Sequence, residues 1–65
     1  MVHKLKSLKG KNVTVMTYGN SLSNGIKGTL QQVEGNQKNG FIIVVTDTME
    51  TTVPISQITG VSITV

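Results

Sequence analysis

Residues 25–46 read Gly25-Ile26-Lys27-Gly28-Thr29-Leu30-Gln31-Gln32-Val33-Glu34, then Gly35-Asn36-Gln37-Lys38-Asn39-Gly40, then Phe41-Ile42-Ile43-Val44-Val45-Thr46. The last leg, Phe41 to Val45, is the longest uninterrupted apolar run of the chain and is β-branched except at Phe41. Such a run is too short for a buried helix, and branching at Cβ suits a pleated surface, so it predicts a strand buried on both faces. The first leg alternates. Ile26, Gly28 and Leu30 fall on one side and Lys27, Thr29 and Gln31 on the other, which predicts a strand with one wet face. The two legs and the polar segment from Glu34 to Gly40 make a hairpin whose second strand belongs to the core.

Outward from this hairpin the chain keeps the same grammar. Asn12-Val13-Thr14-Val15-Met16-Thr17-Tyr18 alternates as a strand, and Gly19 to Gly25 supplies loop residues that tolerate positive φ or cap their own backbone. Gly28 in mid-strand predicts a bend or a close backbone approach. After the turn Thr46-Asp47-Thr48-Met49-Glu50, a fourth strand is expected over Thr51–Ile55. Pro54 places it at an edge or ends it nearby, because proline has no N–H for a ladder. Ser56-Gln57-Ile58-Thr59 reads as a tight turn or one turn of 3₁₀-helix, and Val61, Ile63 and Val65 alternate in a fifth strand. Before all of these, Val2, Leu5 and Leu8 recur at helical spacing and Gly10 makes a stop, so residues 1–10 predict a short helix with Leu5 and Leu8 turned to the domain.

Sixty-five residues allow one domain over 1–65, with residues 12–65 as its sheet. So short a chain usually needs reinforcement. It has no cysteine, hence no disulfide and no thiolate metal site. His3, Glu34, Asp47 and Glu50 are too few and too scattered for a metal cage, and no cofactor is implied. Oligomerisation is the reinforcement left. No apolar run approaches the ~18 residues of a membrane span, and the N-terminus lacks the apolar core of a secretory signal. A cytoplasmic protein is the expectation. Catalysis finds no support either. The lone His3 sits in a terminal segment, the carboxylates come from separate turns, and Gly25-Ile26-Lys27-Gly28 lacks the strand-loop-helix setting of a phosphate loop.

The net charge of +3 is carried by lysine, without arginine. Lys4, Lys6, Lys9 and Lys11 gather with His3 at the N-terminus. That cluster is either a solubilising terminus, the reading favoured by the modest net charge, or a patch for a polyanion.

These elements together specify an all-β fold, and a strongly bent five-stranded small barrel with a short N-terminal helix is the economical form of it, because closure removes edges. The layout resembles the Sm-like family, which includes the Sm and Lsm proteins and the bacterial RNA chaperone Hfq. The resemblance runs from Leu5 to Val65. It is carried by the N-terminal helix, by Gly10-Lys11-Asn12-Val13-Thr14-Val15, and by Gly25 to Glu34, which is similar to the family's first motif of glycine, leucine and a terminal acid. Phe41 to Val45 matches its apolar third strand, and Val53-Pro54-Ile55-Ser56-Gln57-Ile58-Thr59-Gly60-Val61 its second motif. The sequence departs from the family at Glu34, where aspartate is usual, and at Ser56-Gln57, where Sm proteins carry arginine-glycine and Hfq tyrosine-lysine-histidine. The resemblance implies a ring of six or seven subunits that binds single-stranded RNA at or near its pore.

On that basis Glu34, Asn36 and Asn39, with Ser56 and Gln57, are the candidate RNA-binding residues, joined by Lys4, Lys6, Lys9 and Lys11 for phosphates. Asparagine offers both a donor and an acceptor to a base. Each of these positions also has a plainer reading as turn chemistry, which weighs more for any single one. Phe41 is assigned to core packing, and Tyr18 could present its ring to a base. The ring junction is expected to pair the fourth strand of one copy with the fifth of the next through Thr51, Val53, Ile55, Val61, Ile63 and Val65. Both are uncharged edges that would otherwise aggregate. The alternative is a structural or protein-interaction ring that binds no nucleic acid, a reading favoured by the missing arginine and scarce aromatics.

Overall fold

The computed structural model describes residues 1–18 and 25–64. Its elements are α1 (Val2–Ser7), β1 (Asn12–Thr17), β2 (Ile26–Glu34), β3 (Phe41–Val45), β4 (Glu50–Pro54), a 3₁₀ turn η1 (Ile55–Gln57) and β5 (Ile58–Ile63). The strands form one antiparallel sheet in the order β4-β3-β2-β1-β5, so an all-β sheet with a short N-terminal helix is what the sequence encodes. The loop expected over Gly19 to Gly25 falls, up to residue 24, outside the described residues, as does Val65.

One face of the sheet holds the core. Leu5, Val13, Val15, Leu30, Ile42, Val44 and Ile55 are fully buried, and Leu8, Val33, Val53, Ile58 and Val61 nearly so. All five strands contribute, so the sheet must curl around a single cluster. Gly28 makes room for that curl. It lies opposite the core residue Val13, and a β-carbon there would meet the Val45 carbonyl oxygen at 2.6 Å and Val44 Cγ1 at 2.8 Å. Helix α1 is only six residues long and cannot stand alone. It is held because Leu5 and Leu8 enter the core, each burial contributing about 1.5–3 kcal/mol. Gly10, at φ 88°, then turns the chain so that its N–H reaches the Leu30 carbonyl at 2.7 Å and Leu30 N–H returns to the Lys11 carbonyl at 3.0 Å.

Two bulges account for where strand limits differ from simple alternation. In β2 the register with β3 shifts between Leu30 and Gln32, so Leu30 and Val33, three apart, both face the core. Between β1 and β5 it shifts at Met16/Thr17, so Ile58 and Val61 both face inward. Strict alternation over Val61, Ile63 and Val65 therefore places the fifth strand too late; it spans Ile58–Ile63. The fourth strand, expected over Thr51–Ile55, spans Glu50–Pro54, and Ile55 opens η1. The edge position read from Pro54 holds, since β4 pairs only with β3.

The larger correction concerns Phe41 to Val45. The run was expected to be buried on both faces, and Phe41 to be core. Only Ile42 and Val44 are buried; Ile43 and Val45 are half-buried and Phe41 is 38% exposed. A single sheet wrapped round one core has no second layer to cover its outer face, so the alternate side chains of β3 stay at the surface. Among the described residues no helix is long and apolar enough to cross a membrane.

Candidate nucleic-acid interface

The turn between β2 and β3 is built by Gly35, Asn36 and Gly40. Gly35 takes φ 78°, the left-handed region natural to glycine, and its α-carbon side packs against Gly40 so closely that a β-carbon would stand 2.6 Å from Gly40 Cα. Asn36 Oδ1 accepts the backbone N–H groups of Lys38 at 3.0 Å and Asn39 at 2.8 Å. Its oxygen is thus engaged in holding the turn, which is the plainer of its two readings, and its amide nitrogen is the atom it can offer a ligand. Glu34, at the end of β2, accepts a hydrogen bond from Gln32 Nε2 at 2.8 Å and stays exposed. Asn39 is exposed beside it.

Ser56 and Gln57 belong to η1, far along the chain but close in the fold. Ile55 N–H donates to the Gly40 carbonyl at 3.0 Å, which fastens the start of η1 to the β2–β3 turn. Tyr18 N–H donates to the Gln57 carbonyl at 2.8 Å, which fastens its end to the end of β1. The 3₁₀ turn therefore bridges two places that β2 would hold apart if it ran straight. It brings Ser56 and Gln57 to the same end of the molecule as Glu34, Asn36 and Asn39, with all five exposed.

Both aromatic residues border this end. Tyr18 is 68% exposed next to Gln57, and Phe41 sits in register with Glu34 on one side and Pro54 on the other. Phe41 was missed as a surface residue by reading its run as doubly buried. The usable signal was that a 65-residue chain has one core, so every second residue of β3 must point away from it. Lys4, Lys6, Lys9 and Lys11 are exposed on α1 and its exit, on a separate element from the turn cluster. Among the described residues no group of three His, Cys, Asp or Glu is placed to hold a metal ion.

A concavity lies on the outer face of the sheet, where the sequence pattern marks no site. It is an open cleft of about 290 Å³ lined by Asn12, Lys27, Thr29, Thr46, Asp47 and Thr64, among others. Its walls are tied by side chains across strands: Thr29 Oγ1 donates to Asn12 Oδ1 at 2.9 Å, and the hydroxyls of Thr14 and Thr64 bond at 2.8 Å.

The residues given to a ring junction divide in two. Val53, Ile55 and Val61 are buried in the protein's own core, so their side chains are not open to a neighbour, and the Ile55 N–H is already given to the Gly40 carbonyl. Thr51 is half-buried and Ile63 is 51% exposed. Comparison with protein-family models, with curated proteins and with solved structures finds no match.

Proposed function

We propose that this protein is an Sm-like small barrel that assembles into a homo-oligomeric ring and binds single-stranded RNA with low sequence specificity, without catalysis. The observation that carries the reading is Ile63. It pairs with fully buried Val13 and so stands on the core side of the sheet, yet half of it is uncovered because β5 is an edge. The other edge is β4, the strand that immediately precedes η1 and β5 in the chain. Two edges with a single charge between them, Glu50 at the start of β4, and one with a core-facing isoleucine left open, fit a junction in which β4 of one copy pairs with β5 of the next. Such a head-to-tail contact closes into a ring or grows as a filament. A ring of six or seven is the form taken from the family resemblance.

RNA is assigned to the end where Glu34, Asn39, Ser56, Gln57, Tyr18 and Phe41 gather. Polar groups there can meet base edges, and two exposed rings can stack on bases without reading sequence. Fluorescence anisotropy with short oligo-U and oligo-A at two salt concentrations tests this. Micromolar binding at low salt, weakened by Tyr18→Ala and Phe41→Ala, is the expected result. A ring that ignores both oligonucleotides at low salt would instead support the protein-interaction reading, which the engagement of Asn36 Oδ1 within its own turn favours.

A further inference from the structure

The outer face of β3 carries Phe41, Ile43 and Val45 in a row, none fully buried, with Pro54 beside Phe41 and Thr52 beside Ile43 on β4. The chain has three carboxylates, and all three surround this row. Glu34 is in register with Phe41 from the β2 side, Glu50 is in register with Val45 from the β4 side, and Asp47 shares the outer-face cleft with Val45. Four of the lysines and His3 lie instead on α1 and the residues leading out of it. Of the remaining two, Lys27 lines the same cleft as Asp47, and Lys38 sits in the turn beyond Glu34, so Glu34 and Glu50 are the carboxylates at the two ends of the row.

We infer that this face is a docking surface for a partner protein's short basic segment, one that lays apolar side chains along Phe41, Ile43 and Val45 and sets a cation on Glu34 and another on Glu50. The row is about 13 Å long, four strand steps, and Glu34 and Glu50 flank its two ends from opposite neighbouring strands, so the two cations must be spaced by somewhat more than that length, with apolar residues between them. Charge selects this occupant over a second copy. Two such faces meeting about a twofold axis would bring carboxylates together, and a copy offering its basic α1 has already spent Leu5 and Leu8 in its own core. The face uses outward side chains and no edge N–H groups, so occupation does not compete with strand pairing at β4 or β5. The inference does not rest on RNA binding.

The test titrates the isotopically labelled protein, without RNA, with a seven-residue peptide of alternating valine and threonine ended by lysine, and with its glutamate-ended counterpart. The lysine peptide is expected to shift the amide resonances of Phe41, Ile43, Val45 and Thr52, and the glutamate peptide to leave them unmoved. Glu50→Gln and Ile43→Thr should each weaken binding about fivefold, the scale of one exposed charge contact or part of one apolar side chain. Both variants keep the strand propensity of the site, and their thermal unfolding shows that they fold. No shift at millimolar lysine peptide, equal shifts with both peptides, or shifts confined to β5 would each overturn the proposal. So would oligo-U moving the whole row while the peptide moves none of it.

Discussion

Gly28 lies under the carbonyl of Val45, so that a β-carbon on residue 28 would stand 2.6 Å from that oxygen. Backbone on one side and the buried Val44 side chain on the other leave nothing flexible to yield. Gly28→Ala should therefore force β2 and β3 apart at this close approach, although alanine and valine are ordinarily no worse than glycine in a strand. The cost is about 1–3 kcal/mol, the range of overpacked cores. For a domain of this size each kcal/mol lowers Tm by roughly 4–8 °C. A thermal melt of Gly28→Ala, with Gly60→Ala as the control where a β-carbon meets nothing within 4 Å, measures it. Equal melting of the two variants would show that the close approach carries no energetic weight.

The lysines of α1 make a separate prediction. If they contact phosphates, the logarithm of RNA affinity falls with the logarithm of salt by about 0.7 per neutralised phosphate for a single strand. Replacing Lys4, Lys6, Lys9 and Lys11 together by glutamine should flatten that slope by as much as about 3, while Lys38→Gln should change it by less than about 1. These side chains are exposed, so the fourfold variant should melt near the unmodified protein. An unchanged slope would return the cluster to its plainer role as a solubilising terminus.

How far the sequence could be read follows from which patterns it writes locally. Val13 and Val15 with Thr14 between them, or Leu5 and Leu8 at a helical step, are local and periodic, and the corresponding elements stand where that pattern puts them. The bulges at Gln31 and near Thr59 break the period of two, so Ile58 was read as turn and β5 begins earlier than alternation implies. The exposure of Phe41 is hidden by its unbroken apolar run, and only the chain length, which allows a single core, argues against a second covering layer. The meeting of Ser56 and Gln57 with the β2–β3 turn depends on two backbone hydrogen bonds, Ile55 to Gly40 and Tyr18 to Gln57, between residues with no local signature. The outer-face cleft has the same origin: Asn12 of β1, Thr29 of β2 and Thr64 just past β5 become neighbours only through register.

Assembly gives the sharpest prediction, and the hydrogen-bond phase of β5 shapes it. Thr64 N–H donates to the Asn12 carbonyl at 2.9 Å, so residue 64 points its backbone toward β1. In an antiparallel pair successive residues point alternately to the two sides, so the backbone of Ile63 faces the open edge. A proline at 64 would break a bond within the subunit and says little about the ring. Changes at Ile63 are the informative ones. Ile63→Pro removes an outward N–H that β1 does not use, and Ile63→Lys places a charge where the junction would bury an isoleucine already 51% exposed. Covering the rest of that side chain is worth about 1 kcal/mol per junction, and stranding a charge there costs more. In a single subunit the same lysine can reach water past the edge. Each variant should thus shift the protein from ring to monomer, with the twelve core residues still packed and a lower melting temperature. Sedimentation velocity at tens of micromolar, beside circular dichroism, separates the outcomes. A discrete oligomer from the unmodified protein and a folded monomer from either variant supports pairing of β4 with β5. A well-folded monomer from the unmodified protein, or an oligomer indifferent to both changes at Ile63, would end the model.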